Sequence, residues 1–492
     1  MPPPEHTARV DATIRDSAAP DFRRAGEVHA ADPVKARRVK ISPQTLRPLR
    51  SLSVALLAAA ALVMTACASP AESASEEPSE RVAIPSNPVG TQASWVLTEI
   101  NGAPSEQADF EDRFDPIMFE QMAVSDLQQV FEQLRAAAPW TPIAYEGTET
   151  QARVTIESPQ VTYDMSVSVG DDGSMNGLFF GEPQGPRTPA ASWDELESQI
   201  ADAPYEVSLQ VTEAGAGEPV RLMGESSSSP IGSVFKLWVL GAVVDAIDAG
   251  TLAWDDALTI DAEVRSLPSG ELQNLPDGST VTVLEAAQKM IAISDNTGTD
   301  ALIRAVGRDA VEAALVDMGH ESPAVNTPFL TTREMFWMLF DDAALRERWA
   351  TGDQAAREAV LAEIPAGVPS LANAAEVQPG WPEGVDWFAT HDDIARAHVA
   401  LQEKVQSPAG EPLRDLLSAN PGLSFGDEWT YVAFKGGSSV GVLAGSWYLE
   451  RDGGEPIVLT VLARADDAQT LTTNQTAVFG FIEDAAALIV GE

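Results

Sequence analysis

Pro230-Ile231-Gly232-Ser233-Val234-Phe235-Lys236 opens an apolar run that continues through Leu237-Trp238-Val239-Leu240 and ends near Ala249-Gly250. The pattern predicts a buried helix over 233–249, with Gly250 just past its end, where a left-handed backbone suits glycine. Ser233 and Lys236 stand three apart, so a helix puts both on one face. A serine hydroxyl is a weak nucleophile until a neighbour takes its proton. A lysine serves as that neighbour only when neutral, and apolar bulk such as Phe235, Leu237, Trp238 and Leu240 lowers a lysine pKa. The first turn of a helix also favours negative charge developing at the serine. Taken alone, Ser-x-x-Lys is better read as an ordinary helix whose lysine snorkels to water.

Two further elements change that balance. Thr282-Val283-Leu284-Glu285 is a capping box and predicts a helix whose inner face carries Leu284, Ala287, Met290 and Ile291. It runs out at Ser294-Asp295-Asn296, where a hydroxyl can relay a proton and an amide can hold both the lysine and a substrate amide. Lys435-Gly436-Gly437-Ser438-Ser439 is read at the end of a strand over 430–435. A lysine there can meet a carboxylate, and glycines let a strand edge approach a substrate. Each element has a plain alternative, a polar helix exit and a glycine turn respectively. Around them lie a helix from Ser192, a strand over 205–212, strands over 442–450 and 457–464 joined by Arg451-Asp452-Gly453-Gly454, and a last helix over 473–489. The expected fold class is therefore α+β.

Ser233 precedes Ser294 by 61 residues, and the lysine-glycine strand comes last, before a strand pair and a terminal helix. Three such elements in this order resemble the class A β-lactamases and penicillin-binding proteins. The stretch Leu275-Pro276-Asp277-Gly278-Ser279-Thr280-Val281-Thr282, on to Ala301-Leu302, is similar to class A sequence beyond the motifs. The resemblance covers 192–492. It implies an antiparallel sheet built from both chain ends, a helical block between them, and a site in the cleft between the two. It further implies Ser233 as the acylated nucleophile, Lys236 as its base, Ser294 as proton relay, and Asn296, Lys435, Gly437 and Ser438 as substrate ligands. The N–H groups of Ser233 and Ser438 would form the oxyanion hole.

Two departures stand out. Class A β-lactamases carry a glutamate, followed by Leu-Asn, on a loop between the second and third elements. Here the chain passes to Asn326-Thr327-Pro328-Phe329-Leu330-Thr331-Thr332-Arg333-Glu334-Met335, which resembles the segment after that loop. No Glu-x-x-Leu-Asn is present, and Glu321 is the nearest carboxylate upstream. Gly436 also replaces the hydroxyl residue of Lys-Thr-Gly. Both features are similar to a β-lactamase-like subgroup that includes the serine hydrolase of the clavulanic acid biosynthesis cluster, in which a small NTF2-like domain precedes the catalytic one. Its known activities, weak β-lactam hydrolysis and ester cleavage, set the expectation of a serine hydrolase acting on a β-lactam, ester or amide. The alternatives are a β-lactam sensor that acylates without turnover and a D,D-peptidase-like enzyme acting on cell-wall peptide.

The remaining chain organises around this domain. Residues 1–50 carry more Arg and Lys than Asp and Glu, 51–66 are uncharged and largely apolar, and the single cysteine, Cys67, follows Met64-Thr65-Ala66. These are the parts of a secretory signal ending in a lipobox-like sequence, with 1–67 as leader and Cys67 as the lipidated residue. The apolar run is shorter than the roughly 20 residues of a spanning helix. An extracytoplasmic location, anchored to the cell membrane as a lipoprotein, follows as an expectation. Residues 68–94 read as a flexible linker. Helical periodicity over 109–137 and alternating runs at 151–157, 161–169 and 175–180 predict a small α+β domain over 95–182, with a second linker over 183–191. A formal net charge of −43 opposes nucleic-acid binding. His6, His29, His320, His391 and His398 lack zinc-site spacing, so no metal or cofactor is expected. A monomer is expected.

Overall fold

A computed structural model of the chain describes residues 81–492, apart from 116–123, 148–150, 171–172, 182, 184–187, 371–376, 424, 427 and 492. The expected leader, Cys67 and most of the first linker lie outside the described residues.

The first globular segment begins earlier than its composition suggests. Helix α1 (Pro88–Asn101) starts inside the stretch read as linker. Asn87 caps it by accepting the Gly90 N–H, and Pro88 sits at its first position, where a missing N–H is harmless. Val89, Ala93, Val96 and Ile100 are fully buried, which is why the helix forms despite its polar exterior. Short α2 (Gln107–Glu111) and α3 (Val124–Ala136) follow. Strands β1 (Thr141–Gly147), β2 (Gln151–Glu157), β3 (Thr162–Val169) and β4 (Met175–Gly181) pair in sequence order as an antiparallel sheet. Trp95, Phe110, Phe114 and Phe131 pack edge-on or stacked in the core between helices and sheet.

The second segment is built on a five-stranded antiparallel sheet. Helix α4 (Trp193–Ala201) precedes β5 (Glu206–Glu213) and β6 (Arg221–Met223). Strands β11 (Trp429–Ser439), β12 (Val442–Arg451) and β13 (Ile457–Arg464) return from the far end of the chain, giving the order β11-β12-β13-β5-β6. Every residue of β12 from Val442 to Leu449 is buried, because both faces of the sheet are covered. Trp447, Leu449 and Leu459 face α4 and α14 (Ala468–Gly491) on one side. Ala444, Tyr448 and Leu462 face the helical block on the other.

That block holds α5 (Lys236–Asp248), α6 (Val283–Ala292), α7 (Asn296–Val306), α8 (Arg308–Asp317), α9 (Thr332–Phe340), α10 (Ala343–Thr351), α11 (Gln354–Glu363), α12 (His391–Lys404) and α13 (Leu413–Ser418). Two-stranded pairs, β7 (Ser229–Pro230) with β10 (Phe388–Ala389) and β8 (Ala257–Ile260) with β9 (Ser279–Thr282), brace its edges.

Three expectations need correction. The helix expected over 233–249 begins as a 3₁₀ turn, Gly232–Phe235, and becomes α-helical only at Lys236. Leu284 is exposed, and the inner face of α6 runs through Val283, Ala286, Ala287, Met290 and Ile291 instead. The strand expected over 430–435 is longer: β11 continues through the lysine-glycine element to Ser439.

Candidate active site

Helix α6 ends in a left-handed turn. The Asp295 N–H reaches back to Lys289 O, and Ser294 has φ +56°, the one positive-φ residue other than glycine among those described. Glycine ordinarily holds that position, because a side chain there is strained by about 1 kcal/mol or more. The turn aims the Ser294 hydroxyl inward. Asp295 fixes the next residues: its carboxylate accepts the N–H groups of Gly298, Glu271 and Leu272, capping α7 and holding one wall of the cleft.

Lys236 is fully buried beneath this turn. Its Nζ contacts Ser294 O at 2.7 Å, Asn296 Oδ1 at 2.7 Å and Ser294 Oγ at 3.1 Å. The first two can only accept, so they take two N–H bonds. The hydroxyl oxygen accepts a third N–H when the lysine is an ammonium; a neutral amine has two N–H bonds, and its lone pair then faces the hydroxyl. Burial, together with the Lys435 charge, holds this lysine well below the usual lysine range. Asn296 is itself held by Leu267 O, to which its Nδ2 donates.

Lys435 approaches the same hydroxyl from β11. Its Nζ donates to Ser294 Oγ at 3.0 Å and to Gly436 O at 2.7 Å. Burial lowers its pKa to about 7. Ser294 Oγ thus stands between two lysines of reduced basicity, an arrangement suited to passing a proton from one to the other.

Ser233 lies in the 3₁₀ turn against β11. A β-carbon on Gly232 would come within 2.6 Å of Ser438 N, and one on Gly437 within 2.7 Å of Ser233 N. Real Cβ atoms do not approach backbone so closely. Both positions are glycine because the two backbones touch, and that contact sets Ser233 and Ser438 side by side. Ser233, Ser294, Asn296, Lys435, Gly437 and Ser438 all line one cleft of about 1210 Å³. Cys67 lies outside the described residues.

The cleft has aromatic and aliphatic walls, including Met335, Phe336, Phe340 and Phe434. Arg265 reaches it, but its guanidinium is engaged by Gln273 O and Asp277. Among the described residues, no Asp or Glu lines it. Glu321 is exposed and away from it. At the start of α9 stands Thr332, whose Oγ1 meets Asp300 Oδ1 at 2.9 Å and Ser266 Oγ at 2.7 Å. Burial raises Asp300 to about 7.

Sequence reasoning did not find Asp386, which is buried at the back of the site. Its Oδ1 accepts the N–H groups of Gly232 at 3.0 Å and Trp387 at 2.8 Å, and its Oδ2 accepts the Ser439 hydroxyl. The Trp387 ring stacks on Phe235, centroids 3.7 Å apart. No periodic pattern surrounds Asp386-Trp387, so nothing local marked it.

A family model described as the beta-lactamase enzyme family matches residues 191–490, and one described as the ORF 12 gene product N-terminal matches 84–175. None of the curated proteins matches the chain. Similar solved structures include a beta-lactamase from Sphaerobacter thermophilus (21% identity over 60% of this chain and 96% of that one, TM-score 0.42). PBP-A (16%, 63% and 98%, 0.42) and a beta-lactamase from Francisella tularensis (13%, 61% and 98%, 0.43) are others. The first model spans more than half of the sequence and every described residue assembled around Ser233, and the chain belongs to the β-lactamase enzyme family.

Proposed function

We propose that the protein is a serine hydrolase that forms an acyl-enzyme at Ser233. The observation that carries this reading is the Ser294 hydroxyl held between Lys236 and Lys435 in the cleft that Ser233 lines. Ser233 Oγ attacks the carbonyl carbon of a β-lactam, ester or amide, and its proton passes to neutral Lys236. The carbonyl oxygen becomes an oxyanion beside the N–H groups of Ser233 and Ser438. As the tetrahedral species collapses, the C–N or C–O bond breaks, and the leaving group takes a proton from Ser294, which Lys236 replenishes. Water then cleaves the Ser233 ester, giving an acid and the free hydroxyl.

The second half of this cycle is the slow half. With no carboxylate among the described lining residues, no group matches the glutamate that activates water in class A enzymes. Acylation without rapid turnover therefore remains the second reading, a β-lactam sensor. The apolar walls favour esters with hydrocarbon acyl or alkoxy groups, and Gly436 leaves a substrate carboxylate one hydroxyl short.

The basic-flanked apolar run before Cys67 supports export and lipid anchoring there. The departures at Gly436 and after Asn326 support placement in the clavulanate-cluster subgroup, and the helices and four-stranded sheet of 88–181 suit an NTF2-like domain.

Incubation of the purified protein with a fluorescent penicillin and with p-nitrophenyl acetate tests the reading. An adduct on Ser233 by intact mass, with ester turnover lost in Ser233→Ala, is expected. Equal turnover in Ser233→Ala would falsify the nucleophile. A lasting adduct with no product favours the sensor. For the anchor, a Cys67→Ala protein that still fractionates with membranes speaks against lipidation.

A further inference from the structure

Asp386 joins the two pieces of backbone that meet behind Ser233. One carboxylate oxygen holds the Gly232 N–H, one residue before the serine, and the other takes the Ser439 hydroxyl, one residue after Ser438. The neighbouring Trp387 adds a second grip: its carbonyl accepts the Ile231 N–H at 2.9 Å, and its indole stacks on Phe235. The indole N–H is anchored in turn on Leu330 O. The turn bearing Ser233 is thus clasped from behind at Ile231, Gly232 and Phe235, while the same carboxylate reaches across to β11.

The glycine contacts show what this tie controls. Gly232 abuts the Ser438 backbone and Gly437 abuts Ser233, with no side chain between them. Such a contact has no side-chain interdigitation to fix its offset, so a cross-link on either flank must do so. A carboxylate can, because it offers two acceptor oxygens at a fixed separation. Burial raises the Asp386 carboxyl to about 6, so at neutral pH both oxygens accept.

We infer that Asp386 is a positioning residue that sets the spacing of the Ser233 and Ser438 N–H groups, and so the shape of the pocket that receives the carbonyl oxygen. This rests on the acyl-enzyme reading given above. Asp386 touches no substrate and exchanges no proton in the reaction. Its contribution is registry: an oxyanion donor displaced by a fraction of an ångström stabilises the transition state less, and substrate binding in the apolar cleft is unchanged.

The test uses the full-length protein. Phenylboronic acid accepts a serine oxygen and becomes tetrahedral, so its affinity reports the oxyanion pocket without turnover. In Asp386→Ala, boronate affinity and the acylation rate with p-nitrophenyl acetate are expected to fall together by about a hundredfold, while the dissociation constant of the non-covalent ester complex, read from the pre-steady-state phase, stays nearly unchanged. Asp386→Asn is expected to recover most of both, since its Oδ1 accepts the two N–H groups and its Nδ2 donates to Ser439 Oγ. A folded Asp386→Ala with unchanged boronate affinity overturns the role. So does an Asp386→Asn as impaired as the alanine, which would make the charge and not the geometry decisive. Should Asp386→Ala not fold, Ser439→Ala removes one link alone: weaker boronate binding supports the tie, and equal binding sinks it. If the wild type itself forms no Ser233 adduct, the acyl-enzyme reading fails and this role fails with it. An adduct in the wild type that Asp386→Ala forms equally fast removes this role only.

Discussion

Gly437 lies so close to Ser233 that a β-carbon on it would stand 2.7 Å from the serine's amide nitrogen. Val234 N would be 2.8 Å away as well. These are backbone atoms in a clasped turn and have nowhere to go. Gly437→Ala is expected to destabilise the protein by about 1–3 kcal/mol, the range of overpacked cores. Acylation of Ser233 should be lost even in the folded fraction. Thermal unfolding with intact-mass labelling checks both, and a fully active, equally stable Gly437→Ala would contradict the contact.

Gly436, its neighbour, should behave differently. A β-carbon there would meet the Phe434 ring edge at 2.8 Å, and a ring can swing where a backbone cannot. Gly436→Ser is therefore expected to fold and to restore a hydroxyl beside Lys435. The ratio of acylation rates, benzylpenicillin over p-nitrophenyl acetate, should rise by about tenfold, the worth of one good hydrogen bond to a carboxylate. An unchanged ratio argues that the substrate carboxylate does not reach this strand.

Ser294 separates strain from chemistry. Its left-handed backbone disfavours any side chain, so Ser294→Gly should gain about 1 kcal/mol over Ser294→Ala in urea unfolding. Both variants remove the hydroxyl between Lys236 and Lys435 and should lose acylation alike. If Ser294→Gly keeps the wild-type rate, the hydroxyl is not the proton path.

Two histidines give the fold an acid limit. His391 bridges Ser208 Oγ and Thr460 Oγ1, and His398 contacts Ser446 Oγ, all between α12 and the sheet. Burial pushes each from about 6.5 down to about 3. Between those values the unfolded chain binds protons that the folded chain refuses. Their share of stability is present above pH 6.5 and is lost as pH falls toward 3, by up to about 1.4 kcal/mol per pH unit each. Asp300 and Asp386, raised to about 7 and 6, oppose this, since the folded chain keeps their protons where the unfolded chain releases them. The clean measurement is a difference: the stability of wild type minus that of His391→Gln should shrink from pH 7 to pH 4. A constant difference would mean that His391 titrates normally.

Much of the site could be read from residue order. Ser233, Lys236, Ser294, Asn296 and Lys435, the candidate residues, sit on elements whose patterns are local, an apolar run, a capping box and a strand. Asp386 was hidden because its meaning is tertiary: its partners are 154 and 53 residues away. The Gly436-Gly437 pair could be read as a strand edge open to substrate, but the packing of Gly437 against the Ser233 turn is a tertiary contact that no local pattern shows. Helix α1 was obscured by polar composition, although Asn87-Pro88 is a fair start signal. Leu284 shows the limit of periodicity, for a one-residue rotation of α6 moves it to solvent and brings Val283 inward.

The pairing of β5 with β13 joins Glu206 to Arg464 and Glu213 to Ile457, across almost the whole length of the second segment. Ser233 and Lys236 are synthesised before the strand that carries Lys435 and Ser438, and that strand cannot join β5 until β12 and β13 have been made. A nascent chain therefore holds a serine and a lysine but no reaction centre. A polypeptide that stalls or is clipped before β11 is therefore expected to lack the wall that Lys435 and Ser438 supply, and to leave Ser233 unacylated by a fluorescent penicillin.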